Sequence, residues 1–297
     1  MRDVLTGLAV AIITLLSIAL VGPLLIDWSG QRARIETLLA DTLGTRVQIG
    51  GAIDVRFLPT PRLVLERAQF GERPGPALSL DRVTIELATM PLLKGEILIL
   101  ESRLSGARLS LTRTADGGFA LPAQTGTHAA IEKLTISDGR LQIRDAGGKI
   151  ETDLAFSGVE ADAGALAGPW RISGRMRAGS ETRDLRLALS APNGDGQRIR
   201  LTLIDNDGDR SDFDGRLHFA QGIADGKLTR QGHLSWPQAQ KDSTKRPYTI
   251  TAQLAVEPQR AIAPVLDIEI GDDAAALKLS GNAEWRWPAD ASHAHRQ

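Results

Sequence analysis

The sequence predicts a mainly β protein carrying one N-terminal transmembrane helix and one amphipathic helix. Three observations predict it. Residues 8–26 are apolar and uncharged, interrupted only by Thr14, Ser17 and the Gly22-Pro23 pair. A single stretch behind that run has helical spacing. From residue 45 onward the apolar residues recur at every second position, the period of strands with one buried face.

The apolar run comes first in the chain. At about 1.5 Å of rise per residue, a helix over residues 7–26 reaches about 30 Å, the thickness of a bilayer's hydrocarbon core. A cleaved secretory signal is the competing reading and fits less well. Signal apolar regions are shorter and end at small residues, whereas this one leaves through Leu24, Leu25, Ile26, Asp27 and Trp28. Trp28 stands where an interfacial aromatic belongs, with Arg32 and Arg34 beyond it as membrane-interface candidates.

The amphipathic helix follows. Ser29 is placed to cap it, Ile35, Leu38, Leu39 and Leu43 form its apolar stripe, and Gly44 sits where a C-terminal glycine ends a helix. Strands are then predicted around Val47 and Ile49, Ile53 to Phe57, Leu63 and Leu65, Val83 to Leu87, and Leu109 and Leu111. Residues 97–100 are apolar on both parities and read as a strand covered on both faces. Past the small, polar stretch at 123–130 the alternation resumes at Leu134 and Ile136, then Leu141 and Ile143, and continues to the odd positions of 277–287. Turn signals such as Asn193-Gly194 and Asn206-Asp207-Gly208 separate the strands. One further short helical turn is expected over residues 261–266. Sixteen antiparallel strands at about 4.8 Å each stack to roughly 75 Å at most.

A half-apolar sheet must bury its apolar face against something. Either two sheets close as a sandwich or barrel, or one elongated sheet curls into an open groove that holds a greasy ligand. Period alone does not separate these.

Composition narrows the function. The formal charge is −1, so no basic excess exists to neutralise a nucleic-acid backbone, and nucleic acid is not an expected partner. The absence of cysteine removes disulfides, thiol nucleophiles and zinc–thiolate sites. Asp205, Asp207, Asp209, Asp212 and Asp214 have some of the spacing of a calcium loop, but Arg210 and Arg216 occupy the positions of its glycine and bidentate glutamate. A solvated hairpin turn is the better reading. No phosphate-binding loop, dinucleotide fingerprint or nucleophile elbow is present. No catalytic, cofactor or metal residues are therefore assigned, and the chain is read as a non-enzyme.

Several segments, in order, resemble one family. They are the anchor and helix, Gly51-Ala52-Ile53, residues 58–65 (LPTPRLVL), the strand at 83–87, residues 90–97 (MPLLKGEI), and residues 108–113 (RLSLTR) running into Asp116-Gly117-Gly118. Together they are similar to the N-terminal module of the AsmA family of bacterial envelope proteins. Residues 137–145 and 213–217 carry a fainter downstream similarity. The resemblance implies a single-pass inner-membrane protein with its bulk in the periplasm, and an elongated, curled β-groove of the chorein type. It implies phospholipid acyl chains as the cargo and a role in phospholipid transport toward, and assembly of, the outer membrane. On this reading Leu63, Leu65, Val83, Ile85, Leu87, Leu109 and Leu111 are candidate groove residues, with ordinary core as the plainer role for each.

The chain then divides into the anchor (1–26), a helix-plus-sheet module (27–125), a continuing groove (126–288) and a polar tail (289–297). Membrane phospholipids are the expected partners, with other envelope proteins or a second chain at an exposed C-terminal sheet edge. Two other functions stay open: a non-catalytic scaffold affecting outer-membrane protein assembly or targeting and, more distantly, a membrane-anchored hydrolase.

Overall fold

The computed structural model describes residues 27–43, 45–71, 77–94, 98–113, 131–145, 147–163, 168–194, 196–218, 221–235, 245–257, 260–271 and 276–286. The apolar run at 8–26, Gly44 and the tail at 289–297 lie outside them. No helix among the described residues is long and apolar enough to cross a membrane.

Helix α1 (Arg32–Leu43) begins later than the sequence predicts. The Asp27 carboxylate takes the Ser29 N–H at 3.0 Å, and a turn follows in which Trp28 and Ser29 carbonyls accept from Gln31 and Arg32. Ser29 is thus inside the entry turn rather than at the cap, and Gln31 supplies the first carbonyl of the helix, to Ile35. Ile35, Leu39 and Ala40 pack on the core, while Leu38 is 61% exposed.

The strands are β1 (Val47–Ile49), β2 (Ile53–Arg56), β3 (Arg62–Phe70), β4 (Ala77–Leu87), β5 (Ile99–Ser105), β6 (Ala107–Thr112), β7 (Ile131–Arg144) and β8 (Ile150–Ala163). They continue as β9 (Trp170–Ala178), β10 (Glu181–Leu189), β11 (Gln197–Asp205), β12 (Arg210–His218), β13 (Ile223–Ser235), β14 (Lys245–Glu257), β15 (Arg260–Ile270) and β16 (Leu277–Arg286). All sixteen form one sheet. β1 and β2 pair with the two halves of β3, and β5 and β6 share the place between β4 and β7. Fourteen strand positions therefore follow one another in the sheet order, which at about 4.8 Å per step gives about 62 Å rather than 75 Å.

Three sequence expectations change. The sheet is mixed, because β5 and β6 run parallel to β7. A parallel pair needs a crossover of a dozen or more residues, and the segment between β6 and β7 has that length. The helical turn expected over 261–266 is part of β15, where Pro264 and Val265 fall in a bulge between Ala263 and Leu266. Proline is tolerated there because a bulged residue owes the ladder no hydrogen bond. A short helix α2 (Thr89–Leu93) appears instead between β4 and β5, with Pro91 in its first turn, where the missing N–H costs nothing.

The core lies at the N-terminal end. Val47, Ile49, Ile53, Leu65, Ala68, Leu80, Val83 and Ala107 form a buried cluster under α1, joined by Trp28, Ile35 and Leu39. A crease crosses this part of the sheet. On β3 to β8 the flanking residues on one face are three apart instead of two: Leu65 and Ala68, Leu80 and Val83, Leu104 and Ala107, Ile136 and Gly139, Phe156 and Val159. One extra residue per strand bends the sheet without losing register. Arg67 (φ 53°), Gly106 (φ 63°) and Gly158 (φ 56°) take the left-handed backbone that the bend needs. At Gly106 the N–H donates to the Asp138 carboxylate at 3.1 Å, and a Cβ would overlap Asp81.

Candidate functional site: an uncovered apolar face

Beyond the crease, register brings side chains into rows across the sheet. One row runs Ala161, Ile172, Leu187, Leu201, Phe213, Leu228, Ala252, Leu266. The row one residue along, pointing to the other face, runs Glu160, Ser173, Arg186, Thr202, Asp212, Thr229, Thr251, Asp267, Ser280. Successive side chains of a strand alternate in direction, so one face is apolar and the other polar over nearly the whole length.

The polar face is tied down by ion pairs, two of the three that follow crossing between strands and Arg210–Asp212 lying along β12. Arg200 bonds Asp214 at 2.8 Å, Arg210 bonds Asp212 at 2.6 Å, and Lys278 reaches Glu269 at 2.9 Å. The apolar face has α1 over its first strands and no second sheet over the rest among the described residues, since the strands make a single sheet whose ends, β1–β2 and β16, do not pair. A closed sandwich or barrel is therefore not the arrangement. Twist and bulges at β7–β8, β8–β9, β14–β15 and β15–β16 curve the sheet, and most apolar side chains past β8 are half-buried by lateral neighbours alone.

All seven predicted groove residues lie on this apolar face. Leu65 and Val83 belong to the buried cluster, Leu63 and Ile85 pack against it, Leu111 is buried, and Leu87 and Leu109 are half-buried. They lie at its N-terminal end, where Leu63, Leu65, Val83 and Ile85 belong to or pack on the cluster under α1. Of the predicted interface residues, Trp28 packs on the same cluster, Arg32 donates to the Gly51 carbonyl at 3.0 Å, and Arg34 is exposed.

The two long margins of the apolar face differ. One carries Trp170, Leu189, Val256 and Trp285. The other carries Arg183, Asp205, Arg230 and Tyr248, which share the apolar face by register. Here Tyr248 is buried and donates its hydroxyl to Asp209 at 2.7 Å, while Arg230 donates to the Tyr248 oxygen at 2.8 Å and lies 3.6 Å from both Asp205 and Asp209. The Tyr248 hydroxyl, chiefly, holds the Asp209 carboxyl below the ordinary aspartate range; burial pushes the Tyr248 phenol up. The acidic stretch is a hairpin turn, in which the Asp205 carboxylate accepts the Asp209 N–H at 2.9 Å, and beside it Asp209 accepts from Tyr248 while Asp212 pairs with Arg210 and Asp214 with Arg200. Sequence reading missed the network because its members stand on three strands and a turn, with Asp209 and Tyr248 far apart in the chain.

No curated protein matches this chain. Residues 1–130 match the model of the AsmA family.

Proposed function

We propose, from the premise that this chain belongs to the AsmA family through its residues 1–130, that it is an envelope protein whose apolar face holds the acyl chains of phospholipids. It is anchored by residues 8–26 in the inner membrane, extends into the periplasm, and serves phospholipid transport toward the outer membrane. The carrying observation is the continuous apolar row from Ala161 to Leu266 on a sheet with no second sheet over that face among the described residues.

The energetics suit a conduit. Each buried methylene contributes about 0.8 kcal/mol, so a chain of about fifteen gains on the order of 12 kcal/mol when fully covered. A bilayer supplies a similar gain. Exchange between membrane and groove is then close to neutral, and no step traps the lipid. Headgroups stay in water along the open side, and the chemistry requires no acid, base or nucleophile.

The test uses strand alternation. A photo-crosslinking amino acid placed in the full chain in living cells at Leu187, Leu201 or Leu266 captures phospholipid, and at Arg186, Arg200 or Asp267 does not. Equal capture at both sets, or none at the leucines, overturns the reading.

A further inference from the structure

The two ends of the sheet are built differently. At the N-terminal end the edge is short and broken: β1 and β2 have three and four residues and are separated at Gly50-Gly51. α1 guards it, with Glu36 accepting the Ile49 N–H at 2.6 Å and Arg32 donating to the Gly51 carbonyl. At the other end β16 is ten residues long, has no proline, and alternates without interruption, because the β15–β16 bulge puts its extra residue in β15. It carries charges of both signs, at Lys278, Glu284 and Arg286, while the other devices that blunt sheet edges, a proline, an extra bulged residue of its own or a very short length, are not present on it among the described residues. Its apolar side chains are the most exposed of that face, Leu277 at 53%, Leu279 at 51% and Trp285 at 51%.

We propose that β16 is a homodimerisation strand that pairs antiparallel with β16 of a second copy about a two-fold axis at Gly281. The choice of partner rests on the self-complementarity of the strand. A symmetric antiparallel pairing centred on residue 281 sets Lys278 opposite Glu284 of the second copy, and Glu284 opposite its Lys278. The same register sets Leu277 against Trp285 and Leu279 against Ala283, twice each. Opposite charges and aromatic–aliphatic pairs directly across an antiparallel ladder are favourable, and a two-fold interface must complement itself in this way. Gly281 has nothing within 4 Å of where a Cβ would stand, so the axis is uncrowded. An axis perpendicular to the sheet keeps both apolar faces on one side, so the two faces join into one.

The chain has no cysteine, which makes the register directly readable. Residues facing each other across an antiparallel pair have Cα atoms about 4.5–5.5 Å apart, within disulfide reach. In the full chain, oxidised in its own membranes, Gly281→Cys is expected to move most of the protein to a band at twice the 31.9 kDa chain mass. Lys278→Cys and Glu284→Cys are each expected to stay single when expressed alone, and to cross-link when co-expressed. A chain that runs as a monomer with Gly281→Cys uncross-linked overturns the proposal, as does cross-linking of Lys278→Cys by itself. Exclusive cross-linking of Gly281→Cys to a different protein also overturns it, by giving the edge to another partner.

Discussion

Tyr248 shows how a polar group is kept on an apolar face. Its ring fills the row between Gly232 and Ile270 while its hydroxyl bridges Asp209 and Arg230. A hydrogen bond to a charged partner is worth about 1.5–3 kcal/mol, so Tyr248→Phe is expected to cost that much at neutral pH, read from the denaturant midpoint. Asp209 and two carboxylates of the polar face set an acid response. Asp209, Asp212 and Asp214 are all held below the ordinary aspartate range, by Tyr248, Arg210 and Arg200 respectively. A carboxyl depressed in the folded state adds stability above its unfolded pKa, about 3.9, and loses it as pH falls through the folded value. Stability should therefore decline below about pH 4, and the gap between wild type and Tyr248→Phe should narrow there. A gap that stays constant from pH 7 to pH 3 would show that the Asp209 bond is not its source.

At the scale of elements, the crease decides what the sequence could reveal. Strands with unbroken alternation, such as β10 and β11, are legible from Leu185, Leu187 and Leu189 and from Ile199, Leu201 and Leu203. β7 is not. Its phase moves from even at Leu134 and Ile136 to odd at Leu141 and Ile143, and the sequence reads as two strands what is one strand bent at 137–139. The parallel joint is likewise invisible to a period-two pattern, since a parallel and an antiparallel neighbour present the same faces. Three substitutions test the crease and the core beneath it, one of them a control in the β9–β10 turn. Gly106→Ala and Gly179→Ala both force a left-handed backbone on alanine, costing about 1–3 kcal/mol, but only Gly106 adds an overlap with Asp81, while Gly179 meets nothing within 4 Å. The first should be clearly the more destabilising in thermal unfolding; equal losses would mean that the crease is pliable. Leu65→Ala, at a side chain only 1% exposed, should cost about 2–5 kcal/mol.

For the molecule as a whole, fold class and the separation of an apolar from a polar face were present in the sequence, whereas openness was not. Nothing in the spacing of Leu201 or Leu228 says whether another sheet lies over them; that follows only from how the strands are ordered. Past β7, among the described residues, each strand pairs with the strands beside it in the sheet, so stability there is close to a sum of nearest-neighbour terms. Hydrogen exchange is expected to be slowest in β3, β4 and β6, around the α1-capped cluster, and to quicken stepwise along the strands from β8 toward β15. A uniform rate across β8 to β15 would show instead one cooperative unit. Reach is then a quantity the gene can adjust in fixed increments. From β7 on every joint is antiparallel, so losing or gaining one strand reverses all that follow, while a whole hairpin leaves their direction intact. The span of such a protein changes in steps of two strands, about 10 Å, with the N-terminal module untouched.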